Sequence, residues 1–266
     1  MEKFEMHLRQ ANMAENTIAA YKYAVNDFSS KYKELTKKNL LIYKAYLLET
    51  FKPKTVNLRI QALNKYLDYL GKPRLRLKSV KVQQKSYLEN VISNADYVFL
   101  KNKLKEDGNN ESYFVVRYLA ATGARVSELI QIKIEHVNVG YFDIYTKGGK
   151  VRRLFIPKTL IQETKTWLKE AGRETGYLFL NRFGDRITTR GIAQQLKNYA
   201  VKYKLNPKVV YPHSFRHRFA KNFLEKYNDI ALLADLMGHE SIETTRIYLR
   251  RTSSEQQQIV DNVITW

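Results

Sequence analysis

Apolar positions recur at helical spacing through the first 70 residues. Ile18, Tyr21, Val25 and Phe28 lie three or four apart, and Val56, Ile60, Leu63, Leu67 and Leu70 form a 4-3-4-3 stripe that starts after a candidate cap, Thr55, and stops at Gly71. These patterns predict a small helical bundle. Between Asp68 and Glu89 the chain carries no acidic residue, while Lys72, Arg74, Arg76, Lys78, Lys81 and Lys85 recur through a stretch opened by Pro73. That stretch has no helical period, so it reads as a basic interdomain linker whose charges can track phosphates.

From about Ser93 a second helical region begins, and its segment Tyr113 to Ala121 stops at Thr122-Gly123. The period then changes. Tyr141 to Thr146 and Val151 to Ile156 are strand-like, rich in Val, Ile, Phe and Tyr, and are joined by Lys147-Gly148-Gly149-Lys150. The two glycines suit the positive φ angles of a β-hairpin turn. Helical patterns resume after Pro157 through Trp167, again from about Thr188 to Tyr203, and from Ser214 onward with breaks at Tyr227-Asn228 and Gly238. The expected fold class is mainly α with a small antiparallel β-sheet. A helical domain is expected over residues 1–82, a short linker over 83–87, and a second, mostly helical domain over 88–266.

Composition narrows the chemistry. With 266 residues the chain can bury two cores, and 46 Lys and Arg against 26 Asp and Glu leave a net charge of +20. Nineteen tyrosines and 12 phenylalanines exclude a disordered basic tail, so the charge marks a folded polyanion binder, with nucleic acid the leading partner. The absence of cysteine excludes thiolate nucleophiles, iron-sulfur clusters and Cys-ligated zinc. No apolar run approaches the roughly 18 to 20 residues of a membrane span, and the first residues, MEKFEMHLRQ, lack a signal-peptide core. A soluble, cytoplasmic protein without a membrane partner is therefore expected.

Five local patterns carry candidate chemistry in combination. They are Thr122-Gly123-Ala124-Arg125-Val126-Ser127-Glu128-Leu129, the hairpin Lys147, His213-Ser214-Phe215-Arg216-His217, Leu236-Met237-Gly238-His239, and Thr244-Thr245-Arg246-Ile247-Tyr248. In this order and spacing the sequence resembles the tyrosine recombinases, the phage integrase and Xer family. The resemblance runs from about Thr122 to Tyr248, with Ala124 and Met237 as small departures, and it implies a catalytic set of Arg125, Lys147, His213, Arg216, His239 and Tyr248. It also implies an N-terminal core-binding (SAM-like) DNA-binding domain and a catalytic domain. The implied reaction is cutting and rejoining of duplex DNA through a 3′-phosphotyrosine and a Holliday junction, by a homotetramer on paired sites, with accessory proteins as further candidate partners and no cofactor, ATP or metal. A DNA-binding regulator or a topoisomerase-like nicking and closing enzyme are the alternatives. The chain starts directly with the first bundle, so a simple, Xer-like arrangement without an arm-binding domain is expected.

The residue types fit such chemistry on their own terms. Arg125 and Arg216 supply permanently charged forks for the non-bridging oxygens of a phosphodiester, and Tyr248 is a nucleophile that a cationic surrounding would shift toward phenolate. Lys147, with Lys150 as its local competitor, is the expected general acid for the leaving oxygen. His213 is expected to assist proton transfer, His239 to hydrogen-bond a phosphate oxygen, and Glu128 to orient Arg125. His213 and His217 at i and i+4 with His239 allow a rival metal reading, but Ser214 stands where a metalloprotease helix needs its glutamate, and the arginines would repel a cation. Arg74, Arg76 and Lys78 are expected to contact DNA. Ile259, Val260, Val263 and Ile264 fall on one helical face beyond a polar stretch, with Trp266 last, and read as a C-terminal exchange segment that docks either on its own domain or on a neighbouring protomer.

Overall fold

Four helices follow from the N-terminal periodicity: α1 (Glu2–Gln10), α2 (Glu15–Lys31), α3 (Lys37–Thr50) and α4 (Pro53–Tyr69). They belong to a computed structural model that describes residues 1–82, 90–145, 151–249 and 253–264, in the last stretch with the side chains of 257, 258 and 260–264 only. Two compact units divide the chain, Met1–Gln84 and Lys85–Trp266. In α4 the predicted start is corrected: Lys52 is the N-cap and Pro53 opens the helix, leaving Thr55 inside the first turn. Proline there loses no hydrogen bond, because a first-turn N–H has no intrahelical acceptor. Leu70 caps the far end and is 39% exposed, so the apolar stripe closes at Leu67.

Phe4, Leu8, Ile18, Val25, Phe28, Leu40, Leu47, Val56, Ile60 and Leu63 form the core of the first unit. One charge is buried with them. Arg59 on α4 donates to Asp27 of α2 at 2.6 Å, the Tyr43 hydroxyl donates to the same carboxylate oxygen at 2.6 Å, and the guanidinium lies 4.2 Å from the Phe51 ring centroid. The carboxylate thereby compensates the buried cation, as burial requires.

The basic stretch after α4, whose lack of period read as an interdomain linker, is tied to this unit as far as Val80. The Asn64 amide donates to the Leu77 carbonyl (2.9 Å) and accepts from the Leu77 N–H (2.8 Å). Asn57, two helical turns earlier on α4, grips Val80 in the same two-point way at 2.9 and 2.8 Å. Lys37 and Lys44 donate to the carbonyls of Arg76 and Lys78, and Leu77 is buried. The extended segment therefore has its backbone polar groups satisfied by side chains instead of a helix or sheet, which is why it lacks periodicity. The expected linker proper, 83–87, lies outside the described residues.

The second unit contains α5 (Asn94–Glu106), α6 (Asn110–Thr122), α7 (Val126–Leu129), α8 (Ile134–Val139), α9 (Lys158–Glu170), α10 (Thr189–Lys202), α11 (Pro212–Lys226), α12 (Ile230–Met237), α13 (Ile242–Arg246) and α14 (Ser253–Val263), with a 3-10 turn over Ile247–Leu249. Strands β1 (Tyr141–Tyr145) and β2 (Val151–Phe155) pair antiparallel, with Tyr141 opposite Phe155 and Tyr145 opposite Val151. Mainly helical with one small antiparallel sheet, the described residues have the expected fold class. Helix α6 runs through the centre, with apolar residues such as Phe114, Val116, Tyr118 and Leu119 buried around its circumference, the signature of an interior helix. Its Phe114 ring stacks on Trp167 of α9 at 4.5 Å. A separate small cluster joins Ala220 and Leu224 of α11 to Leu233 and Met237 of α12 and to Tyr248. Among the described residues no helix is long and apolar enough to cross a membrane.

Candidate active site

Two helices that border the site end on left-handed glycines. Gly123 closes α6 at φ 63°, and a Cβ there would stand 2.4 Å from Phe219; Gly238 closes α12 at φ 60°, and a Cβ there would stand 2.5 Å from Arg152. Only glycine satisfies both the backbone angle and the space. The helix ends present carbonyl oxygens, which carry the partial negative charge of a helix C-terminus. Guanidinium groups occupy them.

Arg216, on the buried side of α11 and 2% exposed, donates through Nη1 to the Gly123 carbonyl (2.5 Å) and through Nη2 to the Met237 carbonyl (2.7 Å). The same Nη2 lies 3.0 Å from His239 Nε2, and His239 Nδ1 lies 2.7 Å from the Thr245 hydroxyl. A guanidinium can only donate, so Nε2 is the accepting nitrogen and the ring proton sits on Nδ1, shared with Thr245. Arg125 is the N-cap of α7. Its backbone N–H donates to Glu128 Oε2 (2.7 Å), its Nη1 to Glu128 Oε1 (2.8 Å) and its Nη2 to the Gly238 carbonyl (3.2 Å). Glu128 thus orients Arg125, in keeping with its sequence reading.

Tyr248, 6% exposed, closes the cluster from the 3-10 turn. Its ring stacks on His239 with centroids 6.0 Å apart and planes at 15°, and lies 5.3 Å from the His217 ring. His213 stands exposed one turn before His217, with their ring centroids 6.5 Å apart. The structure thus gathers Arg125, Arg216, His239 and Tyr248 tightly, with His213 at the rim. Lys147 lies outside the described residues. Arg74, Arg76 and Lys78 are exposed on the first unit, and Arg76 is already paired with Asp68.

Burial sets the protonation of the site. It pushes His217 and His239 down to about 4, helped for His217 by His213 and Arg216 and for His239 by Arg216 and Arg125. His213, open to solvent on its outer side but partly desolvated by the residues it packs on, is lowered as well, with Arg216 and Arg125 adding to the effect, and Arg216 falls to about 10, still a cation at neutral pH. Tyr248 corrects the sequence expectation: burial raises its pKa, and the pull of Arg216 and Arg125 toward phenolate only partly offsets this. The free protein therefore holds a neutral phenol beside neutral imidazoles.

Sequence reasoning missed two partners. Arg152 on β2, 7% exposed, donates through Nη2 to Glu128 Oε2 at 2.8 Å and through Nη1 to the Met237 carbonyl. Strand alternation supplies the signal, since residues 152 and 154 point inward and an inward arginine on a short strand needs a partner. Thr245, fully buried, was legible only as one letter of a motif.

The chain matches the phage integrase family model over residues 84–255. It is 30% identical to tyrosine recombinase XerA of Pyrococcus furiosus, covering 98% of this chain and 92% of that protein. With the TnP I resolvase of Bacillus thuringiensis it shares 27% identity over 97% of this chain and 96% of the relative. Among solved structures, the Tn1549 transposon integrase in complex with transposon right end DNA superposes with a TM-score of 0.73 at 15% identity, covering 98% of both chains. The XerA recombinase crystal structure gives 0.56 at 21% identity over 100% of this chain and 98% of that one, a likeness of fold. With that family model spanning both the arginine box and the tyrosine, the chain belongs to the phage integrase family, the tyrosine site-specific recombinases.

Proposed function

We propose that the protein cuts and rejoins duplex DNA at paired sites, with Tyr248 forming a 3′-phosphotyrosine and with no metal taking part in charge neutralisation. The observation that carries this reading is a site that, among the described residues, sets two buried guanidinium groups and the half-exposed one of Arg125 against one buried carboxylate, beside a buried tyrosine. Such a site lacks an anion, and a phosphodiester supplies one. Arg125 and Arg216 neutralise the non-bridging oxygens, where charge grows in the transition state. The Tyr248 oxygen attacks phosphorus and expels the 5′-oxygen, which takes a proton from Lys147. The reverse attack by a 5′-hydroxyl on the phosphotyrosine restores the phosphodiester, so the bond energy is retained and no ATP is consumed.

His239 enters this scheme only after a rearrangement. Its Nε2 accepts from Arg216 in the free protein, so donation to a phosphate oxygen requires the arginine to turn to the phosphate and the imidazole to carry a proton on Nε2, either by protonation or by a tautomer shift in which Nδ1 accepts from Thr245. The arriving negative charge favours both changes. We assign relay of the phenol proton to His213, whose ring lies 6.5 Å from that of His217, the imidazole against Tyr248.

Covalent trapping in EDTA tests the reading. Duplexes selected from a random pool, incubated with the protein and denatured, should yield a protein-DNA adduct at full level with the chelator present. Loss of the adduct in EDTA and its return with magnesium or zinc would overturn the metal-free assignment.

Arg74, Arg76 and Lys78 extend the contact to DNA on the first unit, on a backbone that Asn57 and Asn64 hold in place. Neutralising all three should weaken binding to every sequence and flatten the dependence of log K on log salt by about 2 to 3, close to one counterion per phosphate contact. Arg76 is expected to contribute least, because it must leave Asp68. Titration of two unrelated duplexes at four salt concentrations checks this; a loss confined to one sequence would make these residues base readers. We assign the exposed Val260 and Val263 of α14, with Ile264 just beyond it, to contacts between protomers in a homotetramer. Ile259 and Trp266, named with them from sequence, lie outside the described side chains.

A further inference from the structure

Arg152 has no assigned part in the chemistry, yet it touches both groups that hold the phosphate-facing arginines. Its Nη2 shares Glu128 Oε2 with the backbone N–H of Arg125, while Glu128 Oε1 takes Arg125 Nη1. Its Nη1 shares the Met237 carbonyl with Arg216 Nη2. The side chain is 6% exposed, and Gly238 packs so closely on it that an added Cβ would stand 2.5 Å from its Cδ. It is therefore sealed behind the site.

As a packing residue it is a costly choice. It adds a third positive charge to a cluster served, among the described residues, by one carboxylate, and its buried Nε has no hydrogen-bond partner among them. An apolar side chain of similar length would avoid both penalties. What an apolar residue could not do is fill the second acceptor position on Glu128 and on the Met237 carbonyl. With those positions empty, the carboxylate and the α12 terminus are each free to shift relative to the arginine they hold. Near-attack geometry is sensitive to displacements of about 1 Å.

We propose that Arg152 is a positioning residue for strand cleavage: from β2 it fixes Glu128 and the C-terminus of α12 together, and so sets the spacing of Arg125 and Arg216 around the scissile phosphate without touching DNA. The inference rests on the proposed role of those two arginines. Its signature is chemical. If Arg152 acts by aligning charges on the non-bridging oxygens, its loss matters only where those oxygens are charged.

The test compares Arg152→Met and Arg152→Lys with the wild-type protein on two duplexes, one with the natural scissile phosphate and one with a methylphosphonate there, which replaces a charged oxygen by a methyl group. Adduct formation is timed, and Kd is measured separately. On the phosphate both variants should cleave about tenfold to a hundredfold more slowly, with Kd changed less than about threefold. On the methylphosphonate the gap to wild type should shrink to within about threefold. An equal loss on both duplexes, or no loss on either, would overturn the inference. Arg152→Lys keeps a charge and most of the stem, so it supplies the reading if Arg152→Met does not fold. If the wild type forms no adduct on either duplex, the recombinase chemistry itself fails, and the inference with it.

Discussion

Changing Tyr248→Phe is expected to eliminate the denaturant-resistant adduct while leaving DNA affinity within a few fold of wild type. The geometry makes this a clean experiment. The ring, 6% exposed, stacks on His239 and lies against His217, and phenylalanine keeps both contacts and the apolar surroundings of Leu224, Leu233 and Met237. Only the hydroxyl is lost, and with it the one atom able to form the covalent bond. Because burial raises the Tyr248 pKa, the phenol is neutral before DNA binds. Activation must then come with the phosphate, through movement of Arg216 and proton transfer to the histidines, so wild-type adduct formation should require duplex DNA and not proceed with a short phosphodiester alone. An adduct that persists in Tyr248→Phe would pass the nucleophile's role to another of the 19 tyrosines.

Much of this arrangement was legible in the sequence for definite reasons. Ser93 and Thr188 cap helices with their own hydroxyls, accepting from Asp96 and Gly191, and Gly123 and Gly238 end them, so polar and glycine punctuation marked real boundaries. Hairpin strands were visible because Val, Ile, Phe and Tyr concentrate on both sides of a Gly-Gly pair in the sequence. Less visible was anything held by side-chain amides. Residues 77 and 80 owe their place to Asn64 and Asn57, a device with no period. The site was legible as letters but not as a network. That Glu128 is shared by two arginines, and the Met237 carbonyl by two more contacts, depends on a strand and three helices meeting, and no local pattern encodes that meeting. The Tyr248 pKa was misread for the same reason, since charge can be counted along a chain and burial cannot.

Replacing either phosphate-facing arginine by alanine should slow cleavage by about 10²- to 10³-fold, a loss of roughly 3 to 4 kcal/mol of transition-state stabilisation. The two variants should nevertheless differ in stability. Arg125 has a side chain 36% exposed, and its partner Glu128 keeps Arg152 when Arg125 is removed. Arg125→Ala should therefore melt close to wild type. Arg216 is 2% exposed, and its removal strands the Gly123 carbonyl and His239 Nε2, while the Met237 carbonyl retains Arg152. Each buried polar group left without a partner costs about 1 to 3 kcal/mol, against which the relief of repulsion between Arg216 and the other two cations gives partial compensation. A clear fall in Tm is thus expected for Arg216→Ala alone. Lysine should rescue neither rate well, and least at 216, because one ammonium cannot span two carbonyls that lie at the ends of different helices and still present a fork to the phosphate. Timed adduct formation beside thermal melting of the four variants checks the whole pattern. If Arg216→Lys cleaved at near the wild-type rate, the site would need only charge at that position, and the carbonyl cradle built by Gly123 and Met237 would have no catalytic consequence.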